Sequence, residues 1–227
     1  MSLFPELQGV PLEAGDNPDV KPAAKRPRGV VRTKLLDAAE RLFGQSGVEG
    51  VSLREIALAA GQRNVSAVNY YFRDKPGIVD ELINDRFAEV EAGRRKLIDE
   101  FGDLDNCAIA VLFKFLWQPI IDLCVRRGGN WFIQFHLSYH LHNCREKHPF
   151  TTVPDHYPAS KKLLAALQLR CSHLPPEQYR YRVGLVFTML WTAISRYDTD
   201  AAGHDWATLN PLTEPIRVGV AAMTAPA

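Results

Sequence analysis

The sequence predicts an all-α protein. An N-terminal three-helix helix-turn-helix head is joined by a long fourth helix to a C-terminal helical bundle. Three observations predict this. Apolar residues recur at helical spacing in one segment after another, broken by glycine- and proline-bearing turns. No run alternates convincingly at strand period, and no internal repeat is present. Between Arg32 and Lys75 three short helical patterns follow one another, the second and third only a few residues apart. Two helices so closely joined are the layout of a DNA-reading element.

Residues 1–31 read as a tail, because Pro5, Pro11, Pro18, Pro22 and Pro27 interrupt any helical pattern. Its end is basic, with Lys21, Lys25, Arg26 and Arg28 leading to Arg32. Such an arm either follows phosphates or the minor groove, or is simply solvated.

Residues 32–76 form the expected DNA-binding head. Leu35, Leu36, Ala38, Ala39, Leu42 and Phe43 give the first helix one apolar face, and Gly47 stands where a left-handed residue ends it. Ser52-Leu53-Arg54-Glu55 is a capping box for the second helix, whose inner side carries Leu53, Ile56, Ala57 and Ala60. Gly61 ends it, and Asn64 is the expected N-cap of the third helix. Asp74 caps the fourth, with Pro76 tolerated in its first turn.

Ala60, Gly61, Tyr71, Phe72 and Lys75 carry a further likeness. The segment resembles the DNA-binding domain of the TetR family of bacterial one-component repressors. Members carry Ala-Gly, a short variable run, Tyr-x-Tyr-Phe, and a lysine opening the next helix. Two departures stand out. Gln62-Arg63-Asn64-Val65-Ser66 is one residue longer than the common run, and Asn69 occupies a place where a DNA-touching tyrosine is usual. The likeness covers about a fifth of the chain.

On this reading Lys75 holds a phosphate at the start of the fourth helix, with Tyr71 against the backbone beside it and Phe72 in the core. Arg63, Asn64, Ser66 and Asn69 are the polar candidates for reading bases. Val65 or Ala67 meets a thymine methyl. Arg32, Thr33, Ser52, Arg54, Gln62 and Tyr70 complete the expected DNA face. Charge agrees: residues 21–75 carry a balance of +6, whereas the chain as a whole carries +1.

Residues 77–227 read as a helical ligand-binding and dimerisation domain. The fourth helix runs from about Gly77 towards Glu100. Leu104 to Arg127 is apolar almost all round, with a kink expected at Pro119. Further helices are expected over about 130–146, 159–171, 175–197 and 212–223. A single head makes too few contacts for strong discrimination, so a homodimer on a palindromic operator is expected. The dimer candidates are Gly184, Thr188 and Ser195, a narrow small-residue stripe, with Phe187 flanking it and Ile216 and Val220 on the last helix. The alternative is that both helices pack only within their own subunit.

Phe113, Trp117, Phe135, Tyr139 and Trp191 are candidates to line a pocket for a small, largely apolar effector; the competing reading is plain core. The resemblance implies effectors ranging over drugs, lipids, acyl-thioesters and signalling molecules. His136, His140, His142, Cys144 and His148 lie close together, but no His-Glu-x-x-His or Glu-x-x-His pattern accompanies them, so no metal is expected. No cofactor signature and no catalytic constellation appears, which argues against an enzyme.

Cys107, Cys124, Cys144 and Cys171 show no C-x-x-C pairing, and Met1–Val20 lacks the apolar core of a secretory signal, so reduced thiols in a cytoplasm are expected. The most apolar run, Cys107–Val125, contains Lys114, Gln118, Pro119 and Asp122 and reads as a buried helix, with no membrane contact. The sequence thus points to a sequence-specific DNA-binding regulator, a repressor released by a small effector. The alternatives are a regulator whose body binds a protein partner and, less favoured, an all-α enzyme.

Overall fold

The computed structural model describes residues 27–143, 153–196 and 212–227. Among them the chain forms nine helices: α1 (Pro27–Ser46), α2 (Leu53–Ala59), α3 (Ser66–Phe72), α4 (Lys75–Phe101), α5 (Ile109–Arg127), α6 (Trp131–Asn143), α7 (Pro158–Arg170), α8 (Pro176–Ser195) and α9 (Thr213–Thr224). The described residues contain no strand.

Local chemistry sets most of the boundaries. Ser52 accepts from the Glu55 amide at 3.2 Å while its own amide donates to Glu55 Oε2 at 2.7 Å, closing the capping box. Asp74 Oδ1 accepts from Gly77 N at 2.8 Å and starts α4. Gly47 and Gly128 stop α1 and α5 at φ of 70° and 69°.

Two boundaries differ from expectation. α1 begins at Pro27, inside the stretch read as tail, because proline at a first helical turn lacks only an N–H that has no partner there. α5 begins at Ile109, not near Leu104. The Asp103 carboxylate accepts from Asp105 N at 2.8 Å, and Cys107 N donates to Leu104 O, so 103–108 folds as a turn.

The head core is Leu35, Leu36, Ala39, Phe43, Ile56, Ala57, Val68 and Phe72, closed by Ile78 and Leu82 from α4. The body packs α4 on α5 and α7, with α9 against α5 and α8 against α6 and α9. A Cβ on Gly93 of α4 would lie 2.9 Å from Pro119 Cβ of α5, so glycine permits this close crossing. Pro119 also withholds an amide from the α5 ladder at that crossing.

Three connections fasten head to body. The first is α4 itself. The second is α1 on α6, where Phe43 meets Phe135 with ring centroids 5.7 Å apart. Gly44 touches the Trp131 carbonyl there so closely that a Cβ would stand 2.8 Å from it. The third is ionic. Arg86 of α4, 1% exposed, donates to Glu40 at 2.7 Å and to Asp37 and Asp85 at 2.6 Å, and Arg127 of α5 donates to Asp37 at 3.0 Å.

Candidate nucleic-acid interface and internal cavity

α3 buries Val68 and Phe72 and turns its other side to solvent. Ser66, Asn69 and Tyr70 are exposed there, and Arg63 and Asn64 are exposed in the turn before it. Gln62, Val65 and Ala67 are half-buried beside them. Arg54 is exposed on the neighbouring α2.

Several of the expected contacts already have partners. Asn64 Oδ1 accepts from Ser66 N at 3.0 Å, one residue upstream of the cap position at Val65. The Ser52 hydroxyl serves the capping box and donates to Glu55 at 2.7 Å, which holds the Glu55 carboxyl below its ordinary range. Thr33 Oγ1 donates to Gly29 O at 2.9 Å. Arg32 forms ion pairs with Glu81 and, at 3.3 Å, with Asp85, and lies over the Phe72 ring. Lys75 Nζ donates to Val48 O at 3.0 Å and Glu49 O at 3.4 Å, pinning the start of α4 to the α1–α2 turn. Tyr71 is half-buried against the head core. Sequence reasoning passed over Arg73, an exposed cation at φ 66° between α3 and α4; its signal was a basic residue directly before the Asp74 cap.

Inside the body a cavity of about 200 Å³ lies between α4, α5, α6, α7 and α8. Of the five expected lining residues, Trp117 and Trp191 border it, their rings edge-on at 5.0 Å. Phe113, Phe135 and Tyr139 are turned away from it. Phe113 packs on Phe187 and beneath Gly219 of α9. Phe135 packs on Phe43 of the head, with Tyr139 stacked at 5.8 Å behind it. Phe87 of α4, His136 and His140 of α6, and Tyr157 replace them in the wall, and Phe187, expected at a dimer seam, also faces the cavity.

A polar cluster stands in one wall. Arg94 of α4 donates to Leu116 O, at 3.1 Å from Nε and 2.6 Å from Nη2, and to Ser160 Oγ at 2.7 Å. The Ser160 hydroxyl donates to Glu91 at 2.5 Å, and the amides of Ala159 and Ser160 donate to the same carboxylate. Glu91 therefore caps the start of α7, where free helix amides favour an anion.

His136 is 4% exposed, with its ring 4.1 Å from that of His140. Burial, then His140 and Arg94, holds its pKa well below the ordinary 6.5, and burial lowers His140 as well. His136 is thus neutral at pH 7 in the folded chain, whereas the unfolded chain takes a proton below about 6.5. Stability from this residue is full above pH 6.5 and is lost as pH falls towards the folded value. The expected slope is about 1.4 kcal/mol per pH unit. Urea titrations from pH 7.5 to 5.5 check this, since His136→Phe is expected to flatten that part of the slope.

Among the described residues no group of three His, Cys, Asp or Glu is placed to hold a metal. His142 is exposed, and Cys144 and His148 lie outside the described residues. Cys107, Cys124 and Cys171 are buried free thiols, and burial pushes the Cys124 thiol up to about 12. No described helix is long and apolar enough to cross a membrane.

Of the expected dimer residues, Gly184, Phe187 and Ile216 are buried within the chain itself, and Thr188, Ser195 and Val220 are half-buried. The outward side of α8 and α9 instead presents Tyr181, Leu185 and Val218, exposed by 61%, 55% and 43%.

Residues 35–82 match the family model of bacterial regulatory proteins, tetR family. Over 54 residues the chain is 39% identical to the probable HTH-type transcriptional regulator YttP of Bacillus subtilis (strain 168), covering 24% of this chain and 26% of that one. Over 51 residues it is 45% identical to the HTH-type transcriptional regulator AcrR of Shigella flexneri, covering 22% and 23%. The chain thus spans about a quarter of the length of the curated relatives it matches. A crystal structure of a TetR-family regulator from Streptomyces coelicolor A3 aligns over 89% of this chain and all of that one, at 16% identity and a TM-score of 0.43. α1 to α3 and the first turns of α4 fall within the matched segment, so it is the head of the chain that is similar to bacterial regulatory proteins of the tetR family.

Proposed function

We propose that the protein is a sequence-specific DNA-binding transcriptional regulator, acting in the cytoplasm as a homodimer on a palindromic operator and released by a small, largely apolar effector. The observation that carries the DNA reading is the exposed polar surface of α3 and its preceding turn, set on a head whose other side is packed core. Arg63 offers guanine two donors, and Asn69 offers adenine a donor and an acceptor, the pairings that major-groove edges select. Asn69→Ala is expected to relax preference at one base pair per half-site, costing roughly 1–3 kcal/mol. Selection of bound fragments from random duplexes checks it; an unchanged binding motif removes Asn69 from the reading set.

Lys75 supports this surface from behind. Two of its three ammonium hydrogens hold the α1–α2 turn, leaving one for a phosphate. Lys75→Ala is expected to weaken specific and random duplexes alike and to flatten the salt dependence. Equal binding by the variant across a salt series overturns the assignment.

Dimerisation is read from the outward side of α8 and α9. Tyr181, Leu185, Thr188 and Thr192 recur on one face of α8, and Val218 extends it on α9. A two-fold axis through this face would bury the large exposed apolar side chains and place two heads on one duplex. The effector reading rests on the cavity, which reaches α4, the helix that begins at the DNA head.

A further inference from the structure

The cavity wall is largely apolar, and among the described residues it carries one formal charge. Arg94 is 7% exposed, and its hydrogen-bond acceptors, Leu116 O and Ser160 Oγ, are all neutral. Glu91, the acid that raises its pKa, is reached only through the Ser160 hydroxyl and is already taken up by the α7 amides. Burial is the dominant influence and lowers the guanidinium to about 10. Three of its five N–H groups are used, which leaves two.

A second donor belongs to a residue that borders the same cavity. Trp117 follows Leu116 directly and is 2% exposed, and its indole N–H meets no acceptor among the described residues. The Tyr157 hydroxyl donates to Asn84 at 3.3 Å, and the two histidines of the wall are held towards their neutral forms. Among the described residues the wall therefore offers a positive charge and spare donors, and no anion lines it. A cationic ligand would meet Arg94 in a site of low dielectric. A volume of about 200 Å³ holds roughly ten to twelve heavy atoms at interior packing density.

We propose that the cavity takes a small monocarboxylate with a flat aromatic body, its carboxylate on Arg94 and the Trp117 indole N–H and its body between Phe87, Ile120, Phe187 and Trp191. This rests on the reading of the cavity as the effector site. A planar guanidinium suits a carboxylate, and edge-on indole rings suit an aromatic guest. Arg94 is also fixed to α5 and α7 while belonging to α4, so a carboxylate that drew it inward would loosen the hold of both helices on α4.

The test titrates the full chain with matched probes: 3-phenylpropionate with its amide and amine, then phenylacetate with its amide and amine. Calorimetry and the fluorescence of Trp117 and Trp191 read binding. The carboxylates are expected to bind at least about tenfold more tightly than their amides, with the amines weakest. Arg94→Lys keeps the charge but loses the fork, and is expected to narrow the carboxylate preference about tenfold. If that variant does not fold, the wild-type ratio of carboxylate to amide decides alone. Amides or amines that match the carboxylates overturn the head-group assignment and leave the effector site standing. Failure of every probe to bind at about 10 mM also overturns it; the effector site then stands or falls separately, on whether filling the cavity blocks a compound of other chemistry.

Discussion

Arg86→Met is expected to lower the unfolding free energy by about 3–5 kcal/mol, the cost of breaking a buried ion pair from one side. The guanidinium is 1% exposed and joins Asp37 and Glu40 of α1 to α4. Methionine fills much of the same space, so the loss falls on electrostatics more than on packing. Glu40 would remain, 4% exposed and without its nearest cation. Burial already holds Glu40 above its ordinary 4.5 with Arg86 beside it, and removing Arg86 pushes it higher. A carboxyl raised by folding contributes stability below its unfolded value and loses it as pH rises through the folded one. The gap between wild type and variant is therefore expected to widen from pH 5 to pH 8. Urea denaturation at both values checks this, and Glu40→Gln in the Arg86→Met background is expected to recover part of the loss. A gap under about 1 kcal/mol, or one indifferent to pH, would remove the network as a clamp between head and body.

That clamp also marks where sequence reading stops. The stripe of α4 that packs inward runs Ile78, Leu82, Arg86, Val90, Glu91, Arg94 and Ile98. Three of its members carry charge, and periodicity alone assigns charged residues to a solvated face. Arg86 meets Glu40 46 residues away, Glu91 meets Ser160 69 away, and Arg94 meets Ser160 and Leu116 O 66 and 22 away. The capping box at Ser52, the Asp74 cap and the glycine stops were legible because each is closed within four residues. Proline at the start of α1 and the turn ahead of α5 were not, since each depends on which of two local bonding patterns wins.

The ring-rich α6 shows the same limit from another side. Its aromatic residues were legible as a group, but their directions were not. Phe135 points at Phe43 of the head, whereas His136, the next residue, points at the cavity. Adjacent residues on a helix differ by about 100°, so choosing the cavity side needed the position of α1. α8 posed the same problem. Gly184 and Phe187 face inward, and Tyr181 and Leu185, one step away in register, face out.

Leu164→Trp is expected to abolish effector response while leaving operator affinity within about twofold, because it places an indole into a cavity of about 200 Å³ from α7, far from the head in the chain. Leu164 is half-buried, so the new N–H is not stranded. In the wild type an effector acts only through its difference in affinity for the two arrangements of the heads, and a coupling of roughly 1–3 kcal/mol lowers operator affinity about 5- to 150-fold. The structure offers that coupling two exits. One is α4, through Ile83, Phe87 and Arg94. The other is α6, a single helix thick between cavity and head, with His136 and His140 on one side and Phe135 on the other. Phe135→Trp therefore makes the contrasting variant: it enlarges the seat of α1 and is expected to shift operator affinity with no effector present. Fluorescence anisotropy on a labelled operator separates the two, using any compound that releases the wild type in a screen of aromatics, lipids and acyl-thioesters. If Leu164→Trp is released as readily as the wild type, the cavity is not where the effector acts. If no compound releases the wild type, α6 and α4 are rigid spacers, and the partner to seek is a protein.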